Sequence, residues 1–441
     1  MDFLIFYEHI NREIENDALL KNELQKRGYT AKIVDFHGPG LYEASRKRNR
    51  AKVVVTPWLR YDSNVYKYTR FAQKPYKLVN LQWEQVYNNN GIKSGLTDTR
   101  GEAEKAYHIC WGENAQNRLH GNGIPKALLP ITGAMQMDYG RPEMKGYYLP
   151  REALAEEFSL SLEKPWIILV SNFAYAHFPQ DALDTMAKKY GPQRYDTARL
   201  HRDSLAETLR WIDLLLQEID CEFIYRPHPS ENVMEDLTSM AEKHKNFHII
   251  SKYSVKQWVK CCQKVDLWMS TSNAEILSMG VDYCMFRPYP FTENQEVESM
   301  RGDFAVTTYE EFLEEHRHLG ASSPERIKEK LERLRPFYDY DPETPTYVRI
   351  ADELERILKS EKGGDFSFTL KQKLTFGFKE CKAILVSFFM ERQLENPARS
   401  IVDKLPVKEI IKSNMKKMLK KHQNKEEVEA KMDAFIAQRK S

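Results

Sequence analysis

The sequence predicts an α/β protein: two doubly wound, Rossmann-like parallel sheets in series, followed by a basic helical tail. Three observations carry this. Short, almost wholly apolar runs alternate with stretches of helical periodicity, the pattern of parallel βαβ units. That rhythm stops in the Gly-, Pro- and Tyr-rich residues 139–150 and then restarts. After about residue 361 there are 18 Lys/Arg against 11 Asp/Glu, whereas the first 360 residues carry a net charge of −5. The expected domains are therefore 1–145, 146–360 and a tail at 361–441.

In the first half, residues 2–7 read as a buried strand. Ile14, Ala18, Leu19, Leu20 and Leu24 then recur at helical spacing until Arg27-Gly28 closes a helix. Residues 31–36 give the second strand, and no GxGxxG accompanies this βαβ opening, so a dinucleotide fingerprint is absent. Further strands are expected at 52–58, 77–83, 106–111 and 127–131, with one helix reaching Phe71 and another opening at 112–114. In the second half, strands are expected at 165–170, from Glu222, at 247–250, from Asp266 and at 282–286. Helices are expected near 197–219, 231–243, 255–262, 309–318, 323–334 and 346–359.

The bulk composition excludes several classes. A formal net charge of +2 from 66 basic and 64 acidic residues argues against a dedicated nucleic-acid binder. The six cysteines form no CxxC pair and mostly sit in apolar runs, which reads as buried thiols in a reducing compartment. The first residues lack a basic region and a long apolar core, and read as a strand rather than a signal peptide. The expected location is the cytoplasm. In the tail, Val407, Ile410, Ile411, Met415, Met418 and Leu419 recur at helical spacing among lysines. This basic amphipathic helix over 404–421 has two readings: peripheral contact with the inner membrane, or packing on the body with a solvated lysine face.

The candidate chemistry lies between Cys221 and Met285. The run Glu222-Phe223-Ile224-Tyr225-Arg226-Pro227-His228-Pro229-Ser230-Glu231 breaks from apolar to polar, as a strand does when it delivers side chains to a ligand. Prolines on both sides of His228 stiffen its loop, so the imidazole either donates to a phosphate oxygen or acts as a general acid, with Arg226 expected to point the same way, or it is a satisfied histidine in a structural turn. The run Asp266-Leu267-Trp268-Met269 ends in Ser270-Thr271-Ser272-Asn273 and opens a helix carrying Glu275. Two readings stand side by side there: an anion site at a helix start, or ordinary capping by Ser272 or Asn273. Glu275 is either a partner for a sugar hydroxyl or a surface acid favoured by the helix dipole.

These residues resemble a family. The Tyr-Arg-Pro-His-Pro-Ser-Glu segment, the Ser-Thr-Ser-Asn-Ala-Glu segment and the early Asn-Arg-Glu-Ile-Glu loop look like bacterial surface-carbohydrate (capsule or lipopolysaccharide) biosynthesis proteins of GT-B type. The His-Pro and hydroxyl pair is also similar to sialyltransferases, Kdo transferases and the glycerophosphotransferases of teichoic-acid synthesis. The resemblance covers about residues 1–360. It implies two facing Rossmann-like domains with a ligand cleft, and places His228, Ser270, Thr271 and Ser272 against the phosphate of a cytidine nucleotide donor. The Asp/Glu-Asp/Glu-Gly base motif of some sialyltransferases is not present.

A base to activate the acceptor is then expected from the first half. Glu8 and Glu84, which end strands, come first, with His9, Arg12 and Glu13 as further acceptor-side candidates. Arg12 either holds a phosphate or pairs with Glu15. Asp339-Tyr340-Asp341 has the DxD form but lies between late helices, so it is read as an acidic loop, and no metal or cofactor is required. The function expected is a metal-independent glycosyltransferase using a CMP/CDP- or UDP-linked donor and a polysaccharide or lipid-linked acceptor. The rivals are a nucleotide-sugar epimerase of the same fold and a non-catalytic sugar-nucleotide or polysaccharide-binding protein.

Overall fold

The structure is a computed structural model, and it describes residues 1–36, 38, 40–93, 95, 97–228, 230–231, 233–319, 323–391 and 425–438. The basic segment 404–421 lies outside the described residues. Among the described residues ten strands form: β1 (Phe3–Tyr7), β2 (Ala31–Asp35), β3 (Ala51–Thr56), β4 (Ala72–Asn80), β5 (Tyr107–His108), β6 (Trp166–Val170), β7 (Glu222–Arg226), β8 (Phe247–Ile249), β9 (Lys264–Leu267) and β10 (Cys284–Met285). They divide into two five-stranded sheets of order β2-β1-β3-β4-β5 and β10-β9-β6-β7-β8. Every strand pairing is parallel. All five residues of β1 and of β6, both interior strands, are buried, so each is apolar on both faces and shows no alternation.

The two sheets belong to two compact units. The first comprises Met1–Gln85, Asp98–Met135 and Asp339–Ser441, the second Val86–Thr97 and Gln136–Tyr338. In the first unit the chain moves outward from β1 to β2, then returns to add β3 on the other side of β1. In the second it moves from β6 through β7 to β8, then returns to add β9 beside β6. Each sheet thus has one point where the winding reverses, between β1 and β3 and between β6 and β9. Loops at the carboxyl ends of the strands diverge there, and open α/β sheets take their ligands in the resulting crevice.

Several expectations need correction. Residues 127–131 are not a strand. A 3-10 turn covers Lys126–Leu128, and a single bridge joins Ile131 to Cys110. Pro125 precedes this run and Pro130 lies within it, and proline has no N–H for a ladder. The helix Gln180–Tyr190 was not foreseen. The helix Thr346–Lys359 packs with the first sheet, where Arg27 reaches Asp352 at 2.7 Å, Glu355 at 3.3 Å and the Val348 carbonyl. Residues 139–150, where the rhythm stops, are packed into the second unit. Tyr139, Met144 and Tyr147 are buried in the second unit. Gly140 lies so close to the helix Asn273–Ser278 that a Cβ there would stand 1.6 Å from the Ser278 carbonyl oxygen.

The described part of the tail packs on the first unit. The helix Leu370–Glu391 places Phe376 near Tyr66, with ring centroids 5.7 Å apart, and Ser387 Oγ accepts from the Tyr42 N–H at 3.0 Å. The helix Lys425–Gln438 docks on Ile10–Lys26: Lys21 Nζ lies 2.6 Å from Glu429 and 2.9 Å from Asp433, and Met432 is fully buried. Among the described residues no helix is long and apolar enough to cross a membrane.

Candidate functional site

In the second unit, three loops meet at the carboxyl edge of β6, β7 and β9. Glu231 ties the first two together. Its carboxylate accepts from the Ser171 hydroxyl at 2.6 Å, the Phe173 N–H at 3.1 Å, the His228 N–H at 3.3 Å and the Tyr225 hydroxyl. Tyr225 in turn lies 2.9 Å from Ser171. Burial, and then the Glu231 charge, push the Tyr225 phenol far above its ordinary range, so it stays a hydrogen-bond donor. Asn172 ties the third loop, donating to the Met269 carbonyl at 2.6 Å. The β6 loop is therefore stapled to its neighbour on each side.

This frame fixes His228. Its Nδ1 accepts from the Ser230 N–H at 3.1 Å, and the Glu231 N–H closes a turn onto the His228 carbonyl at 2.8 Å. With Nδ1 accepting, the proton of the neutral ring sits on Nε2, the tautomer that presents a donor. A second histidine, His201 on the helix Gln193–Glu218, is buried edge-on against Trp268 (4.8 Å between centroids) and Tyr175 (5.2 Å). Burial, with a smaller contribution from nearby His228, lowers the His201 pKa to about 3, so it remains neutral. Trp268 also stacks on Phe173 at 4.4 Å.

The hydroxyl run follows β9. Ser270 and Ser272 are half-buried and Thr271 is exposed, while Asn273 is fully buried. The Ser270 hydroxyl accepts from the Ser272 N–H at 3.3 Å. Ser272 makes no side-chain cap on the short helix Asn273–Ser278, so the capping reading does not hold for Ser272. What the turn does present is a set of hydroxyls. His228 and this run lie on opposite sides of β6. Their parent strands β7 and β9 flank β6, two strand spacings or roughly 10 Å apart.

Two expected donor-side residues are engaged elsewhere. The Arg226 guanidinium donates to the carbonyls of Lys252, at 3.1 Å, and Tyr253, holding the loop after β8. Glu275 is not a surface acid: it is buried and lies 3.3 Å from Lys256 Nζ, which itself sits over the Tyr139 ring at 4.2 Å.

In the first unit, a pocket of about 180 Å³ opens at the β1/β3 reversal. Glu8, His9 and Arg12 line it from the β1 side, Pro57, Trp58 and Arg60 from the β3 side, and Gln82, Trp83 and Glu84 from the β4 side. Gln82 has φ of 47°, a left-handed conformation costing a non-glycine residue about 1 kcal/mol or more. The turn is held by the Gln82 N–H donating to Asn80 Oδ1 at 3.1 Å and by Gln82 Nε2 donating to the Glu84 carbonyl at 3.0 Å.

Four of the five expected acceptor-side residues line this pocket. Glu13 does not. It is fully buried, and its carboxylate accepts from the N–H groups of Glu8 at 2.6 Å and His9 at 3.2 Å, so it shapes the loop. Burial raises its pKa against the opposing pull of Arg12. Arg12 pairs with Glu13 (2.6 Å) and Glu84 (2.7 Å), and not with Glu15. Desolvation works to raise the Glu84 pKa, but Arg12, helped by Arg60 and His9, outweighs it and holds the carboxyl below the usual range. Glu8 Oε2 lies 3.8 Å from His9 Nε2. The Asp339-Tyr340-Asp341 loop is an acidic turn as expected, with Asp341 accepting from the N–H groups of Glu343 and Thr344.

Ser171, Asn172, Glu231, Trp58, Arg60, Gln82 and Trp83 were missed as site residues. Ser171-Asn172 had the same signature as its neighbours, an apolar strand breaking into polar residues. Glu231 stood inside the quoted motif with no role.

No protein-family profile matches the chain, and no curated protein matches it. Solved structures do. The UDP-GlcNAc 2-epimerase of Methanocaldococcus jannaschii, in complex with UDP-GlcNAc and UDP, aligns with a TM-score of 0.51 and 13% identity over 81% of this chain and 100% of its own. Another UDP-N-acetylglucosamine 2-epimerase gives 0.51 at 14% identity, over 84% and 99%. A variant of the wall teichoic acid polymerase TagF gives 0.50 at 12% identity, over 81% and 89%. At these identities the likeness is one of fold. The two-sheet α/β architecture is of GT-B type.

Proposed function

We propose that the protein is a nucleotide-sugar-acting enzyme of GT-B type, and more narrowly a metal-independent glycosyltransferase. It would move a sugar or sugar-like unit from a CMP/CDP- or UDP-linked donor to a surface-polysaccharide or lipid-linked acceptor. The observation that carries this reading is the pinned His228 on one side of β6 and the hydroxyls of Ser270, Thr271 and Ser272 on the other, at the edge where the second sheet reverses its winding. The strands that carry them stand roughly 10 Å apart, which leaves room for a diphosphate or a phosphate with its ribose. As the bond to the sugar breaks, negative charge collects on the departing phosphate. A preset Nε2–H and neighbouring hydroxyls meet that charge without reorganising.

Acceptor activation is assigned to the pocket of the first unit. Glu84 is held below the ordinary carboxylate range by Arg12, which makes it a weak base. Glu8, next to His9, is the better candidate.

The fold likeness to UDP-sugar 2-epimerases favours a second reading, an epimerase that turns over the donor alone. Product analysis separates the two. A transferase leaves donor intact, or hydrolyses it slowly, until an acceptor is added. An epimerised nucleotide sugar formed without acceptor would overturn the transferase reading.

A further inference from the structure

The helix Leu370–Glu391 has two apolar faces, and among the described residues only one is covered. Ala383 and Ile384 pack against the first unit's core, joined by Phe376 beside Tyr66. On the other side Leu370 is 74% exposed, Leu374 68%, Phe378 78% and Leu385 55%. These are four of the eleven exposed large apolar side chains among the described residues, gathered within 16 positions of one helix. Isolated exposed apolar residues are ordinary, whereas a contiguous row marks a contact surface.

The row has a definite shape. At 3.6 residues per turn, Leu370, Leu374, Phe378, Leu385 and the exposed Cys381 fall within an arc of about 80°. Exposed Lys371 borders that arc on the Phe378 side and exposed Lys373 on the Leu370 side. A narrow apolar stripe edged with lysines suits the boundary between acyl chains and anionic head groups. The apolar side chains enter the boundary, and the lysine stems run along it to the phosphates. A second copy of the chain is the competing occupant, and the lipid-free concentration series below distinguishes it. No helix among the described residues is long and apolar enough to cross, so the contact is with the surface.

We infer that the helix Leu370–Glu391 lies on an anionic lipid surface through the Leu370/Leu374/Phe378/Leu385 stripe. This stands on the exposure of one helix and does not depend on the enzyme assignment. It is also separate from any lipid contact through 404–421.

The chain carries its own reporter. Cys381 lies in the stripe and is exposed, whereas the other five cysteines are buried. The full chain, labelled at Cys381 with an environment-sensitive fluorophore such as NBD, is mixed with vesicles of phosphatidylglycerol and phosphatidylcholine, or of phosphatidylcholine alone. The expected result is a blue shift and a several-fold rise in emission with the anionic vesicles, weakened by high salt. The exposed double substitution Leu374→Glu with Phe378→Glu should abolish the rise while leaving the melting temperature unchanged. Three results would overturn the inference. The chain fails to co-sediment with anionic vesicles at low salt. It co-sediments while the Cys381 probe does not respond, which moves the contact elsewhere. Or the probe responds to protein concentration without lipid, which assigns the stripe to a second copy.

Discussion

Ser171 and Glu231, sixty residues apart, meet at 2.6 Å at the carboxyl edge of the second sheet, where the serine hydroxyl donates to the carboxylate. One carboxylate thereby holds the ends of β6 and β7 in register and sets the His228 backbone. Glu231→Ala would leave the Tyr225 and Ser171 hydroxyls without their anionic acceptor. It should cost about 2 kcal/mol in urea unfolding, with Glu231→Gln recovering part of the loss. A change under about 0.5 kcal/mol would show that the network is not what holds these loops.

His228 itself should matter to turnover and not to stability. Its ring is half-buried, and its anchoring comes largely through its own backbone and the Ser230 N–H. His228→Ala should lower turnover ~100-fold or more while leaving the unfolding midpoint nearly unchanged. Near-wild-type turnover in a purified assay would remove the imidazole from the mechanism.

Arg12 neutralises a buried acid. It lies 2.6 Å from the fully buried Glu13 and 2.7 Å from the exposed Glu84. Arg12→Ala should destabilise by roughly 2–3 kcal/mol, less than for a fully enclosed pair because Arg12 is itself partly exposed to solvent. Glu84→Gln should cost under about 1 kcal/mol. Chemical denaturation of the two variants side by side checks the contrast, and equal effects would contradict it.

His201 sets an acid limb on stability. Its folded pKa is about 3 against an ordinary 6.5, so the unfolded chain takes up a proton that the folded chain refuses. Its contribution is complete above pH 6.5 and shrinks as pH falls from there towards 3. At pH 5 the loss relative to neutral pH is about 2 kcal/mol. His201→Phe, which keeps an aromatic ring against Trp268 and Tyr175, should reduce the difference in stability between pH 7 and pH 5 by about that amount. An unchanged difference would show that His201 titrates normally in the fold.

The sheets were legible because buried parallel strands are continuous apolar runs, as in Phe3–Tyr7 and Trp166–Val170, and because helical periodicity separates them. The 127–131 run misled because its apolar residues masked the two prolines that deny it a ladder. The return of Thr346–Lys359 to the first sheet had no local signal, since Arg27 and Asp352 are 325 residues apart. At the site, strand ends that break into polar residues revealed where His228, Ser270 and Glu8 stand. They could not reveal direction. Arg226 turns to the carbonyls after β8, and Glu275 turns inward to Lys256. Glu13 and Glu231 share one behaviour: each folds back onto the backbone of its own loop, which a sequence does not distinguish from a ligand-facing acid.

The most direct test of the account is calorimetric titration of the full chain with CMP, CDP, UDP and GDP, repeated with His228→Ala and Thr271→Val. The expected result is saturable binding of at least one of these nucleotides, weakened ~10-fold or more by each substitution. Absence of binding by all four, or binding that both substitutions leave unchanged, would contradict the placement of a nucleotide phosphate between His228 and the Ser270-Thr271-Ser272 hydroxyls.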